Sequence, residues 1–501
     1  MKPGIMIVPP CPSKAKDAYG LDTQFLKIHR AALVCPITHL INLSIRLAVV
    51  PSDWKVATVS PIFKSGDKTN ISNYRPISIL PVVSKVAEKW ISKLLNKHLS
   101  QGRSLLHPMQ FGFRQNHSTE TANCVFIETV KSLLDKTTCV GAVFLDFKKA
   151  FDTVDHQALL SKLTHFNFAD DAIAWFKSYL SDRKQSVSVG GTMSSYLECP
   201  AGVPQGSILG PVLFSLYIND LPDVCQNVQF QMYADDAVIF TPAKSTQEAS
   251  SVLTSALDNI QPWLLQSCLS LNKKKTVSMM FTKKNIKLER SNVFLGGVEL
   301  ELVEEFKYLG VTLDTTLSFK KHIKITANKI KYNIRNFKQI RSSMTISSAK
   351  MFLHSMIFSH IDYCITTYSL TGGTTLKPIE ILFKKSLKIF DQKPLSFHQC
   401  NILEKYNMLK FENFIHFKNS SLIYKVLNGL APPPLSTYIR PGRRICTRAS
   451  SRGDLEIPHR RTTFGQTVLS VRGGHFWNSL PTNIRECPTY CTFKKHLKQF
   501  L

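Results

Sequence analysis

Two adjacent carboxylates, Asp235 and Asp236, lie between short apolar runs in Phe230-Gln-Met-Tyr-Ala-Asp-Asp-Ala-Val-Ile-Phe240. Phe230 and Met232 on one side, and Val238, Ile239 and Phe240 on the other, have strand character, which places the pair at the tip of a hairpin. Like charges held side by side repel, and a divalent cation would neutralise them. A solvated Asp-Asp turn is the simpler alternative, because aspartate is an ordinary turn residue. A third carboxylate favours the metal: in Val140-Gly-Ala-Val-Phe-Leu-Asp146 an apolar strand ends on Asp146. Such a charge is costly unless it has a partner.

The elements that must position these groups can be read from periodicity. Past Asp146 the strand hands over to a helix that Asp152 or Asp155 could cap. Ala201-Gly-Val-Pro-Gln-Gly-Ser-Ile-Leu-Gly-Pro211 is a Gly/Pro-rich loop opening an apolar helix. Upstream, Ala57 to Asp67 reads as a strand entering a Ser-Gly-Asp turn, and Asn73 to Leu80 as the returning strand. This ribbon carries Lys64 and Arg75, a point charge and a planar fork that suit phosphate oxygens; two surface cations near a turn is the plainer reading. Helical patterns span 26–50, 82–99, 157–166 and 170–180, the second with Val86, Trp90, Leu94 and Leu95 on one side. Ser118-Thr119-Glu120 starts a further helix as a cap cluster. Lys184 to Val189 turns through Gly190-Gly191 into a hairpin. Thr246 to Ser267 carries Leu253, Leu257, Ile260 and Leu264 at helical spacing, a core pattern. From Phe319 to Arg341 the cations Lys320, Lys321, Lys324, Lys331, Arg335 and Lys338 recur on helical repeats, either a nucleic-acid surface or a solvated face.

Composition narrows the partners. The 501 residues suit two to four subdomains, and 44% hydrophobic content supports a folded chain. An excess of 63 Lys+Arg over 35 Asp+Glu, a net charge of +28, points to a polyanion, nucleic acid before a membrane surface. The apolar stretch Ile5 to Val8 is too short for a signal peptide, and Ala31 to Val50 is interrupted by Pro36, His39, Asn42 and Arg46. Twelve scattered cysteines, Cys35, Cys124, Cys225 and Cys364 among them, read as free thiols in a reducing interior. Cys487, Cys491 and His496, with His475 upstream, do not have the spacing of a standard zinc finger. Arg452-Gly-Asp454 is a chance tripeptide.

In order, type and spacing, the segments around Asp146, Ala201–Pro211 and Asp235 resemble motifs A, B and C of reverse transcriptases. Trp175-Phe-Lys-Ser-Tyr-Leu-Ser-Asp-Arg-Lys-Gln185 narrows the resemblance to non-long-terminal-repeat (LINE-type, jockey-like) retrotransposon polymerases. Leu271-Asn-Lys-Lys-Lys-Thr276 resembles motif D, Phe306-Lys-Tyr-Leu-Gly-Val311 motif E, and His107 to Arg114 the template-contacting segment. Lys14, Asp17, Gly20 and Asp22 match a passage that in this family follows an upstream endonuclease, so the chain is expected to lack that nuclease. A viral RNA polymerase usually has Gly before the Asp pair, where this chain has Ala234. An intron or retron enzyme shares Tyr-Ala-Asp-Asp but not the Asn73-Tyr-Arg-Pro-Ile passage.

The resemblance implies an RNA-directed DNA polymerase with a right-hand α+β fold: fingers, a ferredoxin-like palm and a thumb, with a mainly helical C-terminal region. Expected divisions are 1–25 as an N-terminal remnant or linker, 26–139 as fingers with part of the palm, 140–312 as palm, 313–430 as thumb and helical connection, and 431–501 as a basic C-terminal region with linkers near Ala431–Leu435 and Pro441–Arg444. Nucleotidyl transfer uses two Mg²⁺ ions, with Mn²⁺ as a substitute, to activate a 3′-hydroxyl and hold charge on phosphorus. Asp146, Asp235 and Asp236 are the implied ligands, with the Phe147 carbonyl assisting. Phe151, five residues past Asp146, would lie under the sugar and exclude a 2′-hydroxyl; a core aromatic is the alternative. Gln205 and Gly206 would meet the nascent base pair, Lys64 and Arg75 the triphosphate, and Arg114 the template phosphate. Lys275 is the candidate general acid, with Lys273 and Lys274 competing for that register. Implied partners are template RNA, a DNA primer, dNTPs and target DNA, with no membrane, in an intracellular setting shared between nucleus and cytoplasm. A catalytically lapsed or repurposed RNA-binding remnant is the alternative; oligomeric state is not legible.

Overall fold

The computed structural model describes residues 16–100, 105–283, 289–442 and 454–501. Lys14, the Ile5 to Val8 stretch, Arg443-Arg444 and Arg452-Gly453 lie outside the described residues. The chain opens with α1 (Thr23–Ile28) and α2 (Arg30–Leu47), then β1 (Val56–Phe63), β2 (Tyr74–Ile79), α3 (Val82–Ser100) and α4 (Thr119–Lys136). Next come β3 (Cys139–Asp146), α5 (His156–His165), α6 (Asp170–Leu180), β4 (Lys184–Val189), β5 (Thr192–Met193), β6 (Leu197–Glu198) and α7 (Gly210–Tyr217). They are followed by β7 (Gln229–Tyr233), β8 (Asp236–Ala243), α8 (Thr246–Gln266), β9 (Val277–Thr282), β10 (Phe294–Leu295), β11 (Val298–Glu299) and β12 (Glu301–Leu302). The hairpin β13 (Glu305–Tyr308) and β14 (Val311–Asp314) leads into α9 (Lys320–Ile340), beyond which the chain is mainly helical. No helix among the described residues is long and apolar enough to cross a membrane.

The chain folds as two compact units, each discontinuous in sequence. One gathers Met1–Arg114, Asp146–Gln226 and Asp258–Asn272. Its sheet runs β2-β1-β4-β5, with β6 also paired to β4. The β1–β2 ribbon is antiparallel and pairs Ile62 with Arg75. Lys64 donates its amide to the Asn73 carbonyl at 2.9 Å, so with a side-chain period of two Lys64 and Arg75 share one face of the ribbon. Side chains fix the tip: Asn73 Nδ2 donates to the Asp67 carbonyl and Tyr74 Oη to the Lys68 carbonyl, each at 2.9 Å. Elsewhere in this unit α2 and α6 meet through Trp175, whose Nε1 donates to Ser44 Oγ at 3.1 Å. One helical expectation is corrected: Leu94 on α3 is 43% exposed, while Glu88 occupies the buried face at 1%.

The other unit gathers Gln115–Leu145, Asn227–Leu257 and Lys273–Leu501. Its sheet has the order β12-β9-β3-β8-β7. Numbered one to four along the chain, β3, β7, β8 and β9 stand in the order 4-1-3-2, that of a ferredoxin-like sheet. The short β12 adds a parallel pair to β9. α4 packs on this sheet through Phe126, whose ring meets Phe240 at 5.3 Å, Tyr308 at 5.4 Å and Phe281 at 5.9 Å between centroids. A capping box starts the helix: Ser118 Oγ accepts from the Thr121 amide, and the Thr121 hydroxyl accepts from the Ser118 amide. Gly141 on β3 is required by close approach, since a Cβ there would lie 2.9 Å from both Ala249 and Leu253 of α8. All the described cysteines are free thiols.

Candidate active site

The Asp-Asp pair is placed by the tightest hairpin available. β7 and β8 pair from Gln229↔Phe240 to Tyr233↔Asp236, leaving a two-residue turn of Ala234 and Asp235. Ala234 takes φ of 55°, a left-handed conformation that two-residue hairpin turns need and that a Cβ disfavours by roughly 1 kcal/mol. The turn is thus held by the strands rather than by residue preference. Asp235 and Asp236 are both exposed at this tip, and the Asp236 charge helps raise the buried Tyr308 phenol, for which burial is the larger cause.

Asp146, half-buried, is the last residue of β3 and belongs to the other unit. Its carbonyl accepts from the Asn272 amide at 2.7 Å, the Lys148 amide donates to the Ser270 carbonyl at 2.9 Å, and Phe147 forms an antiparallel bridge to Leu271. The backbone at Asp146 and Phe147 is therefore fixed by the Ser270–Asn272 segment that precedes Lys273–Lys275. Those three lysines are exposed, and Lys273 Nζ donates to the Gly296 carbonyl at 3.4 Å. Among the described residues no three His, Cys, Asp or Glu side chains gather as a preformed metal cage.

The turn after β3 and the 201–211 loop are joined to each other. Asp155 caps α5 by accepting from the Ala158 amide at 2.7 Å; Asp152, the other candidate cap, instead accepts from Gln205 Nε2 at 2.9 Å. The Val203 amide donates to the Phe151 carbonyl and the Gly202 amide to the Val154 carbonyl, both at 2.8 Å. His156 Nε2 lies 2.8 Å from the Gly202 carbonyl. Gly202 and Gly206 have φ of 86° and 120°, and a Cβ on Gly206 would stand 2.5 Å from the Ser78 carbonyl. Only glycine fits there. The Ser78 amide in turn donates to the Gln205 carbonyl at 2.6 Å, so β2 braces the residues assigned to the base pair. The half-buried Phe151 ring lies 4.6 Å from Phe214 at 32°, which accommodates both the core reading and a ring with one free face.

Lys64 and Arg75 are exposed on their shared ribbon face. Arg114 has a structural job that the sequence did not announce: its Nη1 donates to the carbonyls of His107 at 2.9 Å and Gln110 at 3.0 Å, pinning its own loop. On α9, Lys320, Lys324, Lys331, Arg335 and Lys338 are exposed opposite buried Ile323, Ala327, Ile330, Ile334 and Phe337, while Lys321 pairs with Glu305 at 3.1 Å. At the C-terminus Cys487 Sγ lies 3.3 Å from His496 Nδ1, and Cys491 is exposed. The sequence reading missed Glu88 and Ser78; the signal for Glu88 was a carboxylate among Val86, Ala87 and Ile91 on an apolar helix face.

Residues 64–313 match the family model described as reverse transcriptase (RNA-dependent DNA polymerase). The chain is 31% identical over 397 residues to the probable RNA-directed DNA polymerase from transposon BS of Drosophila melanogaster, covering 76% of this chain and 43% of that one. It is 29% identical over 398 residues to the RNA-directed DNA polymerase from mobile element jockey of Drosophila funebris, with the same coverage. The chain thus spans less than half the length of these relatives. Among solved structures, apo telomerase from Candida tropicalis aligns over 74% of this chain and 62% of that one, with a TM-score of 0.41 and 16% identity. With its ferredoxin-like sheet and its 64–313 match, this chain belongs to the reverse transcriptases of jockey-like, non-long-terminal-repeat retrotransposons.

Proposed function

We propose that the chain is an RNA-directed DNA polymerase that extends a DNA primer on retrotransposon RNA, target-primed within its element, in the nucleus and cytoplasm. The observation that carries this reading is the Tyr233–Asp236 hairpin, which presents Asp235 and Asp236 exposed on a rigid two-strand support. An all-oxygen donor set of Asp146, Asp235, Asp236 and the Phe147 carbonyl fits Mg²⁺, or Mn²⁺ in its place, better than Zn²⁺, and Mg²⁺ commonly completes its shell with substrate phosphates and water. Two such ions, when bound, would activate the primer 3′-hydroxyl and offset charge on the transferring phosphorus.

The chain's own residues supply binding and selection. Lys64 and Arg75, on one ribbon face, would hold the triphosphate. Phe151, buttressed by Phe214, would bar a 2′-hydroxyl, and Gln205 with Gly206 would bound the nascent pair. Lys275 would protonate the departing pyrophosphate. The exposed cations of α9 would follow the duplex backbone in a salt-sensitive way. Arg114 would contribute to template binding by shaping its loop, through its bonds to the His107 and Gln110 carbonyls. The fingers, palm, thumb and C-terminal divisions remain the working map of these roles.

Primer extension on poly(rA)/oligo(dT) with Mg²⁺ and dTTP tests the reading. RNA-dependent DNA product supports it. No product, with salt-sensitive RNA binding retained, would replace it with a catalytically lapsed RNA-binding remnant.

A further inference from the structure

We propose that Glu88 is a positioning residue for nucleotide selection, acting through the Ile208 amide on the loop that carries Gln205 and Gly206; this rests on the polymerase reading above. Glu88 is 1% exposed on the apolar face of α3. Its Oε2 accepts from the Ile208 amide at 2.6 Å and its Oε1 from the Tyr179 hydroxyl at 3.0 Å. Burial pushes the carboxyl above its usual range, while the Ile208 amide, Arg183 and Tyr179 favour the charged form. Arg183, 3% exposed, is itself fixed: its Nη1 donates to the Tyr179 carbonyl at 2.9 Å, and its guanidinium lies 4.9 Å from the Tyr179 ring centroid.

Stability alone does not explain this buried carboxyl group. A buried carboxylate and its cation can be replaced by apolar residues of similar volume at equal or better stability, and the surrounding face of α3 is already apolar. What an apolar residue cannot do is accept a hydrogen bond from Ile208, three residues past Gln205. Residues 201–209 form no helix or strand, so their shape depends on discrete anchors. Val154 and Phe151 hold the start of the loop, Ser78 its middle, and Glu88 its end. With the last anchor gone, the Gln205 side chain and the Gly206 backbone lose the support that sets their approach to a base pair.

The test compares Glu88→Gln with Glu128→Gln, a buried carboxylate of the other unit that holds Ser470 and has no part in the site. Glutamine cannot accept through both terminal atoms, so each variant loses part of its hydrogen bonding. Steady-state extension should show Glu88→Gln raising the KM for dTTP about tenfold, the equivalent of one hydrogen bond, with kcat changed far less. Glu128→Gln should lower the thermal midpoint and leave KM alone. Amide exchange in the unmodified chain gives a second readout independent of how any variant folds: Ile208 should exchange much more slowly than Ala201. An unchanged KM in a folded Glu88→Gln protein, or an Ile208 amide exchanging as fast as Ala201, would overturn the inference while leaving the polymerase reading intact. Failure of the unmodified chain to extend any primer would overturn both.

Discussion

Gln205 Nε2 donates to Asp152 Oδ1 across 2.9 Å, joining the glycine-rich loop to the turn after β3 by side chains as well as by the Val203–Phe151 and Gly202–Val154 backbone bonds. The carboxylate thus anchors the side-chain amide, while the Gln205 backbone carbonyl separately accepts from the Ser78 amide. Asp152→Ala should lower kcat/KM for dTTP about tenfold, since an aimed hydrogen bond is lost. Asp152→Asn, which keeps an acceptor oxygen, should stay within about twofold by the same reasoning. Equal losses in the two variants would show that the contact does not orient Gln205.

The half-buried Phe151 ring rests on Phe214, and the proposed role against the sugar makes a test of selectivity. Phe151→Ala should raise ribonucleotide relative to deoxynucleotide incorporation by tenfold or more, with about 2 kcal/mol lost from stability for the half-buried ring. The measured quantity is the ratio of kcat/KM for UTP and dTTP. A ratio unchanged from the parent would reduce Phe151 to a packing residue.

A pH dependence follows from His322. It is 6% exposed, its Nδ1 accepts from the Thr312 amide at 3.3 Å, and its ring meets Tyr368 edge-on. Burial, reinforced by Lys329 and Lys307, pushes its imidazole down to about 4. Between that value and about 6.5, the unfolded imidazole binds a proton that the folded one refuses, so stability falls as pH falls through this window. The loss should be at most about 3 kcal/mol. Denaturant melts from pH 7 to pH 4 on the parent and on His322→Gln should show a flatter acid slope for the variant; parallel slopes would rule His322 out as the source.

The C-terminal segment is built into the second unit through one helix face. Glu128 accepts from the Ser470 amide at 2.7 Å and hydroxyl at 2.8 Å, Lys131 Nζ donates to Thr467 Oγ1 at 2.7 Å and to its carbonyl at 3.0 Å, and Asp135 accepts from the Arg461 and Thr462 amides at 2.9 and 3.0 Å. Glu128 and Lys131 are 2% and 1% exposed, so each depends on these bonds. Ser470→Ala should destabilise this unit by about 1–3 kcal/mol, the cost of leaving a buried carboxylate short of a donor, with RNA affinity unchanged. A thermal midpoint equal to the parent's would mean that solvent reaches Glu128.

What the sequence revealed and what it concealed divide along range of interaction. The Asp-Asp hairpin, the Ser118 cap and the spacing of Leu253, Leu257, Ile260 and Leu264 are local patterns, and all stand in the fold. The loop-pinning role of Arg114 was hidden because residue type says nothing about which carbonyls lie within reach. Asp152 and Asp155 were equivalent as caps until Gln205 claimed one of them. The buried roles of Glu128, Lys131 and Asp135 had no local signal, because their partners come more than three hundred residues later. Leu94 fell on the wrong side of α3 because Glu88 lies on the buried one, a choice made by Ile208 and Tyr179.

Asp235 is the proposed metal ligand on which the polymerase reading turns. Primer extension by the unmodified chain and by Asp235→Asn, measured beside RNA binding at matched salt, tests it most directly. The variant should lose at least about a thousandfold in extension, in line with the several kcal/mol that metal assistance supplies, while binding RNA as the parent does. An Asp235→Asn protein that extends the primer at near-parental rate would contradict it.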